Sequence, residues 1–404
     1  MMATRIVGTA LVGLALAGVV LSDAPEPRPV ACLDPARTPP RILAELGGPT
    51  AIMENAFVTA VSGDYIASGM IRDATDHMSG GGEPAILQRS GRLGLPVGRS
   101  GRSPAGPPLP VSLGNDEWGV IWPTAAPPDG IQGEWPNDQY TEMWFATRET
   151  AEWSEPRLLL GARLGLEWSD LTIRYSARGA PLLLVIREES VLDRDVMFGP
   201  VAGTLAPIPL SDELRPHTAA LYAGDGLIAI AIQLSEPDSN QSWLQIITSQ
   251  DDGTTWSDPE VVWRTSGIGR GLRLHRDEEG VLHLFWVEGF TGLRHLRGEA
   301  GDWTEVSPVP VPDSEVLFGS VTGVDRCGSL ALAQEVLTSS GEVGFKLWRW
   351  VGTGWVRDDL LDGLSGLNLF DGVSEAGAWH LGLSGALDSE GAATAALALW
   401  TVTP

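Results

Sequence analysis

Three residue types are scarce in this 404-residue chain, and each scarcity narrows what it does. Lysine occurs once, at Lys346; the other basic residues are arginines, and acids outnumber them to a net charge of −25. That balance argues against nucleic acid and anionic membrane surfaces as partners. Cysteine occurs twice, at Cys32 and Cys327, too few for a disulfide-framework domain or a four-thiolate zinc site. Tyrosine occurs four times against 16 tryptophans, which thins the supply of phenolic nucleophiles. Beyond residues 6–21 no apolar run approaches a membrane span, and no long segment repeats its apolar residues every 3.6 positions. A helical bundle is therefore not expected. The chain also lacks a phosphate-cradling glycine loop, an H-E-x-x-H pair and a nucleophile elbow. No nucleotide, cofactor or metal chemistry is indicated.

The first residues read as an export signal. Arg5 precedes the apolar run Ile6–Leu21, and Val20-Leu-Ser22 meets the small-residue rule for cleavage, so residues 1–22 are a signal peptide and the mature chain begins near Asp23. An uncleaved anchor is the alternative. Cys32 follows Arg-Pro-Val-Ala, which lacks the lipoprotein form. The expected location is secreted, periplasmic or cell-envelope, with no membrane contact beyond the signal. In such an oxidising compartment the two thiols are expected to pair as Cys32–Cys327.

The rest of the chain repeats. Gly63, Gly119, Gly179, Gly226, Gly280, Gly328 and Gly391 each lead into a short apolar β run, at spacings of 56, 60, 47, 54, 48 and 63 residues. Trp153, Trp256, Trp303 and Trp355 keep the same beat, 103, 47 and 52 residues apart. A period near fifty suits a four-stranded propeller blade. The expected fold is all-β, a β-propeller of four-stranded antiparallel blades over residues 49–404. Each blade has strands A to D, with the glycine turn between A and B and the tryptophan opening D. Seven glycines imply seven blades; six remain if Gly63 or Gly391 marks a cap. The last blade has strands A and B before Pro404, so residues 23–48 are expected to supply the missing strands and close the ring from both termini.

One hairpin carries a family resemblance. Ser249-Gln-Asp251-Asp-Gly253-Thr-Thr255-Trp256 spells S-x-D-x-G-x-T-W. Asp251 can accept hydrogen bonds from its own turn, Gly253 supplies a positive φ, and Trp256 buries a ring beneath. The segment resembles the Asp-box of the bacterial neuraminidase (sialidase) repeat, which implies a propeller and a structural role for the hairpin. Sialidases clamp a carboxylate with three arginines and attack with a late tyrosine. Here Pro40-Arg41-Ile42-Leu43 lacks the flanks of the first arginine motif, and Tyr65, Tyr140, Tyr175 and Tyr222 all come early. No catalytic set carries over.

In a propeller the B–C and D–A connections share one face, so ligand-face candidates stand where B strands end: Arg72, Asp73, Arg187, Glu188, Gln233, Glu288 and Glu335. Glu188, Glu288 and Glu335 could form a glycosidase acid/base set, with Arg215 and Arg270 as cations; the alternative is a solvated rim. The longest B–C connection, Pro123–Thr141, holds Trp135, Asn137, Asp138 and Tyr140, residues suited to stacking a sugar ring and bonding its hydroxyls. With Arg72 and Arg187 these are the binding candidates. Arg72-Asp-Ala-Thr-Asp76-His77 shows no recognised metal-ligand spacing, and His283 and His295 lie in apolar strand patterns and read as structural. Two functions follow: a monomeric module binding a glycan or an extracellular or envelope protein, or a glycoside hydrolase using rim carboxylates.

Overall fold

The computed structural model is an all-β propeller. It describes residues 41–46, 51–61, 64–73, 83–88, 91–96, 106–114, 117–124, 140–149, 152–189, 193–210, 214–236, 241–265, 269–277, 279–288, 293–299, 301–306, 316–324, 330–337, 343–358, 367–375, 378–389 and 392–402. Cys32 and Cys327 lie outside the described residues, as do Trp135, Asn137 and Asp138.

Strand β1 is Arg41–Glu45. Strands β2–β5 are Ala51–Val61, Asp64–Asp73, Glu83–Gln88 and Gly91–Leu93. Next come β6 (Leu109–Gly114), β7 (Glu117–Thr124), β8 (Tyr140–Glu149) and β9 (Glu152–Trp153). They are followed by β10 (Arg157–Tyr175), β11 (Pro181–Glu188), β12 (Arg194–Pro200) and β13 (Ala206–Pro207). Strands β14–β17 are Arg215–Gly224, Leu227–Ser235, Ser242–Ser249 and Glu260–Thr265. Strands β18–β21 are Gly269–Arg276, Leu282–Glu288, Leu293–Glu299 and Asp302–Glu305. Strands β22–β25 are Val316–Val324, Leu330–Leu337, Val343–Trp350 and Trp355–Asp358. The last three, β26–β28, are Leu367–Glu375, Ala378–Ser389 and Ala392–Val402.

Among the described residues these strands form six sheets: β2–β5, β6–β13, β14–β17, β18–β21, β22–β25, and β26–β28 with β1. The six-sheet alternative therefore replaces seven separate blades, and β10 is the cause. Its first part, Arg157–Gly161, pairs with β8, while Gly165–Tyr175 pairs with β11. Residues 157–175 contain no proline to interrupt the strand. Two sequence repeats thus share one eight-stranded sheet. Its halves still pack on each other, with Val111, Ile121 and Phe145 meeting Leu183, Val185 and Met197.

The unbroken apolar runs follow from this packing. A propeller sheet has a neighbour on each face, so its inner strands are buried on both. In β11, Leu183 and Val185 face one seam while Leu182, Leu184 and Ile186 face the next, against Ile228, Ile230 and Ile232 of the third sheet. The turn Asp225-Gly226 between β14 and β15 has φ of 51° and 75°, the left-handed pair of a tight hairpin. Two glycine assignments need correction. Gly119 lies inside β7, and the segment holding Gly391 joins β27 to β28, the second and third strands of its sheet.

The tryptophan beat has a packing cause. Trp153 donates to the Gly94 carbonyl of the first sheet at 2.8 Å and stands edge-on to Trp118 at 5.1 Å. Trp256 meets Phe198 of the second sheet at 5.3 Å, and Trp355 meets Phe285 of the fourth at 5.9 Å. Each ring fastens its sheet to the one before. Trp153, Trp303 and Trp355 lie in the outer strand segments, whereas Trp256 precedes β17, which begins at Glu260.

Both termini close the ring. The C-terminal segment supplies three strands of the last sheet rather than two, and β1 completes it by pairing Arg41 with Leu399 and Glu45 with Ala396. Strand β2 lies against β26, joining first sheet to last. Deleting residues 23–48 leaves β28 an open edge. A differential-scanning measurement should show the thermal midpoint falling by several degrees; an unchanged midpoint contradicts this closure.

Candidate functional site

Where the first strand of a sheet pairs with the second, the register slips near the first strand's start. The slips fall at Glu54/Phe57, Glu167/Thr172, Pro216/Thr218, Arg270/Arg273, Leu317/Gly319 and Phe370/Val373. A bulge bends its strand and re-aims its side chains. The first five lie at the end where the second strands finish and outline one rim of the ring; the slip at Phe370/Val373 faces the start of β27 instead.

The sequence candidates at the ends of B strands stand on that rim. Arg72 pairs with Ile52, Glu288 with Gly269, and Glu335 with Gly319. The side chains of Arg72, Asp73, Tyr140, Arg270 and Glu288 lie outside the described set. The rest can be placed. In β11 and β12, Arg187 sits directly across from Asp195 and Glu188 across from Arg194. Arg187 bonds Asp195 at 2.5 Å and Glu189 at 3.2 Å, so this binding candidate is already engaged by acids. Glu188 forms a tight ion pair with Arg194, whose guanidinium also reaches the Pro216 carbonyl of the third sheet at 3.4 Å. Gln233 is buried. It donates to Ser242 at 3.0 Å and accepts from the Gly269 backbone at 2.8 Å, tying the third sheet to the fourth. Its role is structural, not ligand-facing.

The third-sheet bulge holds the most chemistry. His217 is the inserted residue there, and its Nε2 lies 2.6 Å from the Ser235 hydroxyl. Burial, then the cations of Arg194 and Arg215, lower its pKa to about 4, so the ring is neutral at pH 7. Arg215 is half-buried and has no ion pair among the described residues; its Nε is buried without a partner there. A neutral imidazole, a hydroxyl, the Arg215 guanidinium and the Glu188–Arg194 pair present donors and acceptors together, which suits sugar hydroxyls. Further round the rim, burial raises Glu335 to about 7, so half of it carries a proton at neutral pH.

Sequence reasoning missed Arg194, Asp195 and Ser235. Their signal was present: Arg-Glu at the end of β11 and Arg-Asp at the start of β12 are charge-complementary across a short connection. Among the described residues no group of three or more His, Cys, Asp or Glu is arranged to hold a metal ion.

On the opposite face the 249–256 hairpin is held by its own side chains. Asp251 accepts from the Thr255 backbone at 2.8 Å and the Thr255 hydroxyl at 2.7 Å, while the Ser249 hydroxyl accepts from the Gly253 backbone at 2.9 Å. The Thr255 backbone foremost, then the Thr255 hydroxyl and the Ser249 hydroxyl that donates to Asp251 at 2.8 Å, lower the Asp251 pKa. A Cβ at Gly253, where φ is 85°, would meet Phe198 at 2.5 Å.

No family model and no curated protein matches this sequence. Solved structures do resemble it. A polysaccharide lyase described as an ulvan lyase aligns with a TM-score of 0.51 at 11% identity, covering 90% of this chain and 94% of that one. The same enzyme type bound to -[GlcA(1-4)Rha3S]- gives 0.50 at 11% identity, over 90% and 93% of the chains. A Hadza microbial sialidase gives 0.45 at 12%, over 85% and 74%. At such identities the likeness shows fold alone. The chain is a β-propeller.

Opposite pH dependences should appear at the two rim groups. His217 is depressed from 6.5 to about 4, so its contribution to stability is full above 6.5 and is lost as pH falls toward 4. Glu335 is raised from 4.5 to about 7, so its contribution is full below 4.5 and is lost as pH rises through 7. Thermal melts of Glu335→Gln should therefore exceed the parent at pH 8 and match it at pH 4, while His217→Asn should lose less stability than the parent between pH 7 and 5. Parallel melting curves across this range would contradict both assignments.

Proposed function

We propose that this chain is a carbohydrate-binding β-propeller whose ligand sits on the bulged rim at the seam of the second and third sheets. The observation that carries the reading is the His217–Ser235 pair beside Arg215 and Arg194, polar groups gathered at a bulge in an otherwise apolar seam. The ulvan lyase structures, one with a bound saccharide, support a carbohydrate-related role through their shared fold. In this reading the 249–256 hairpin is an Asp-box with a structural task, and the loop bearing Trp135, Asn137, Asp138 and Tyr140 stacks further sugar units. A protein partner is the other occupant the sequence allows.

A second reading has its own support. Glu335, half-buried and raised to about 7, could act as a proton donor, which a glycoside hydrolase needs. Loss of turnover in Glu335→Gln with binding intact would favour it; binding without turnover favours the module.

One experiment tests the main proposal. The exported protein, its intact mass checked for a start near Asp23 and an oxidised Cys32–Cys327 pair and its size checked for a monomer, is titrated with neutral and acidic polysaccharides by calorimetry. Arg215→Ala should weaken binding by about tenfold, the worth of one charge-assisted hydrogen bond. A folded parent protein that binds none of the polysaccharides, or an Arg215→Ala variant that binds as the parent does, contradicts the proposal.

A further inference from the structure

A chain of buried polar groups lines the fourth-sheet side of the seam with the fifth sheet, on the side of the ring away from the rim. The Val281 backbone N–H donates to Asp277 Oδ1 at 2.8 Å; Asp277 Oδ2 lies 3.0 Å from His283 Nε2; His283 Nδ1 lies 2.8 Å from His295 Nε2. Both imidazoles are fully buried. Burial works against the Asp277 carboxylate, but the bonds from His283 and Val281 outweigh it and lower its pKa.

The protons in this chain can be assigned. A carboxylate only accepts, so His283 carries its hydrogen on Nε2 and its Nδ1 accepts. His295 must then donate from Nε2. That leaves His295 Nδ1 a bare acceptor, and it has no partner among the described residues. Rings surround it: Phe285 stacked at 4.4 Å, Trp350 edge-on at 5.2 Å and Trp355 at 5.5 Å. Trp350 and Trp355 belong to the fifth sheet, so this box is the joint between two sheets. Arg297, across from His283 on β20, spans the same joint. It donates to the Gly352 carbonyl at 3.0 Å, with its guanidinium 5.9 Å from the Trp350 ring centre.

We propose that this chain makes the fourth–fifth seam an acid-sensitive joint, closed while His283 and His295 are neutral and opened when protons enter it. Asp277 and Glu279, on the turn between β18 and β19, favour a proton on His283. Arg297 opposes it, as it does on His295. His275, across from His283 on β18, is half-buried and neutral, with Arg174 and Arg273 beside it. The fifth sheet contributes the two indoles and, exposed on β25, Arg357.

Burial, the largest cause, decides the balance. It lowers His283, and with the neighbouring His283 and Arg297 it takes His295 to about 2. Groups depressed on folding contribute stability that is full above 6.5 and is lost as pH falls. Opening the seam returns water to both rings, so His295 adds up to about tenfold to the opening constant per pH unit below 6.5, and His283 acts in the same direction. Strand β23 packs in the same seam through Leu330 and Leu332.

Hydrogen exchange on the full chain, corrected for the intrinsic pH dependence of exchange, tests the joint. Between pH 6.5 and 4.5 the amides of β19, β20 and β24 should lose protection by about a hundredfold or more, while β11 and β15 keep theirs. His295→Phe, which fills the box and removes one of the two titrating rings, should lose less protection than the parent over the same range. Nitrogen-15 spectra of the parent should show both imidazoles protonated on Nε2 at pH 7, which keeps the test decisive if the variant does not fold. Equal loss across all seams, an unchanged acid profile in a folded His295→Phe, or an Nδ1–H tautomer at His295 would overturn the proposal.

Discussion

The pairing of β1 with β28 is the constraint on which the rest of the fold depends. An open row of twisted sheets leaves two terminal faces and an unpaired edge in water. Drawing one N-terminal strand into the last sheet removes these together, because β2 then lies against β26 and the first and last sheets become neighbours. Only in a closed ring does every sheet find apolar surface on both faces.

Closure also fixes where polar chemistry can sit. Seams are filled by aliphatic and indole side chains, so buried charge is admitted only at their ends. At the rim the bulges turn side chains out of the ladder, and the charges there arrive in pairs set by register, Arg187 with Asp195 and Glu188 with Arg194. Arg215, which has no ion pair among the described residues, breaks this neutrality beside the third-sheet bulge. At the other end of one seam, Asp277, His283 and His295 form a relay whose satisfaction depends on neutral rings.

Much of this was legible in the sequence, for physical reasons. Turn glycines with apolar runs reported sheets buried on both faces, and the spaced tryptophans reported rings that fasten each sheet to its predecessor. What was not legible depended on pairing. The continuity of β10 merges two repeats into one sheet, and no residue announces it. Gly391 follows the rule of a turn glycine yet stands one hairpin later than assigned. Gln233 reads as a ligand-face amide, but its partner is the Gly269 backbone of the next sheet, which spacing cannot reveal. Arg194 and Ser235 became site residues only once register and the bulge at His217 brought them together.

In the proposed reading, ligand meets the bulged rim rather than the hairpin face. A crystal structure of the protein with an oligosaccharide cut from a polysaccharide it binds tests this most directly. The claim predicts sugar oxygens within hydrogen-bonding distance of Arg215 and His217, with Glu188 and Arg194 lining the same seam. Sugar seated instead at the Ser249–Trp256 end of the third sheet would contradict it.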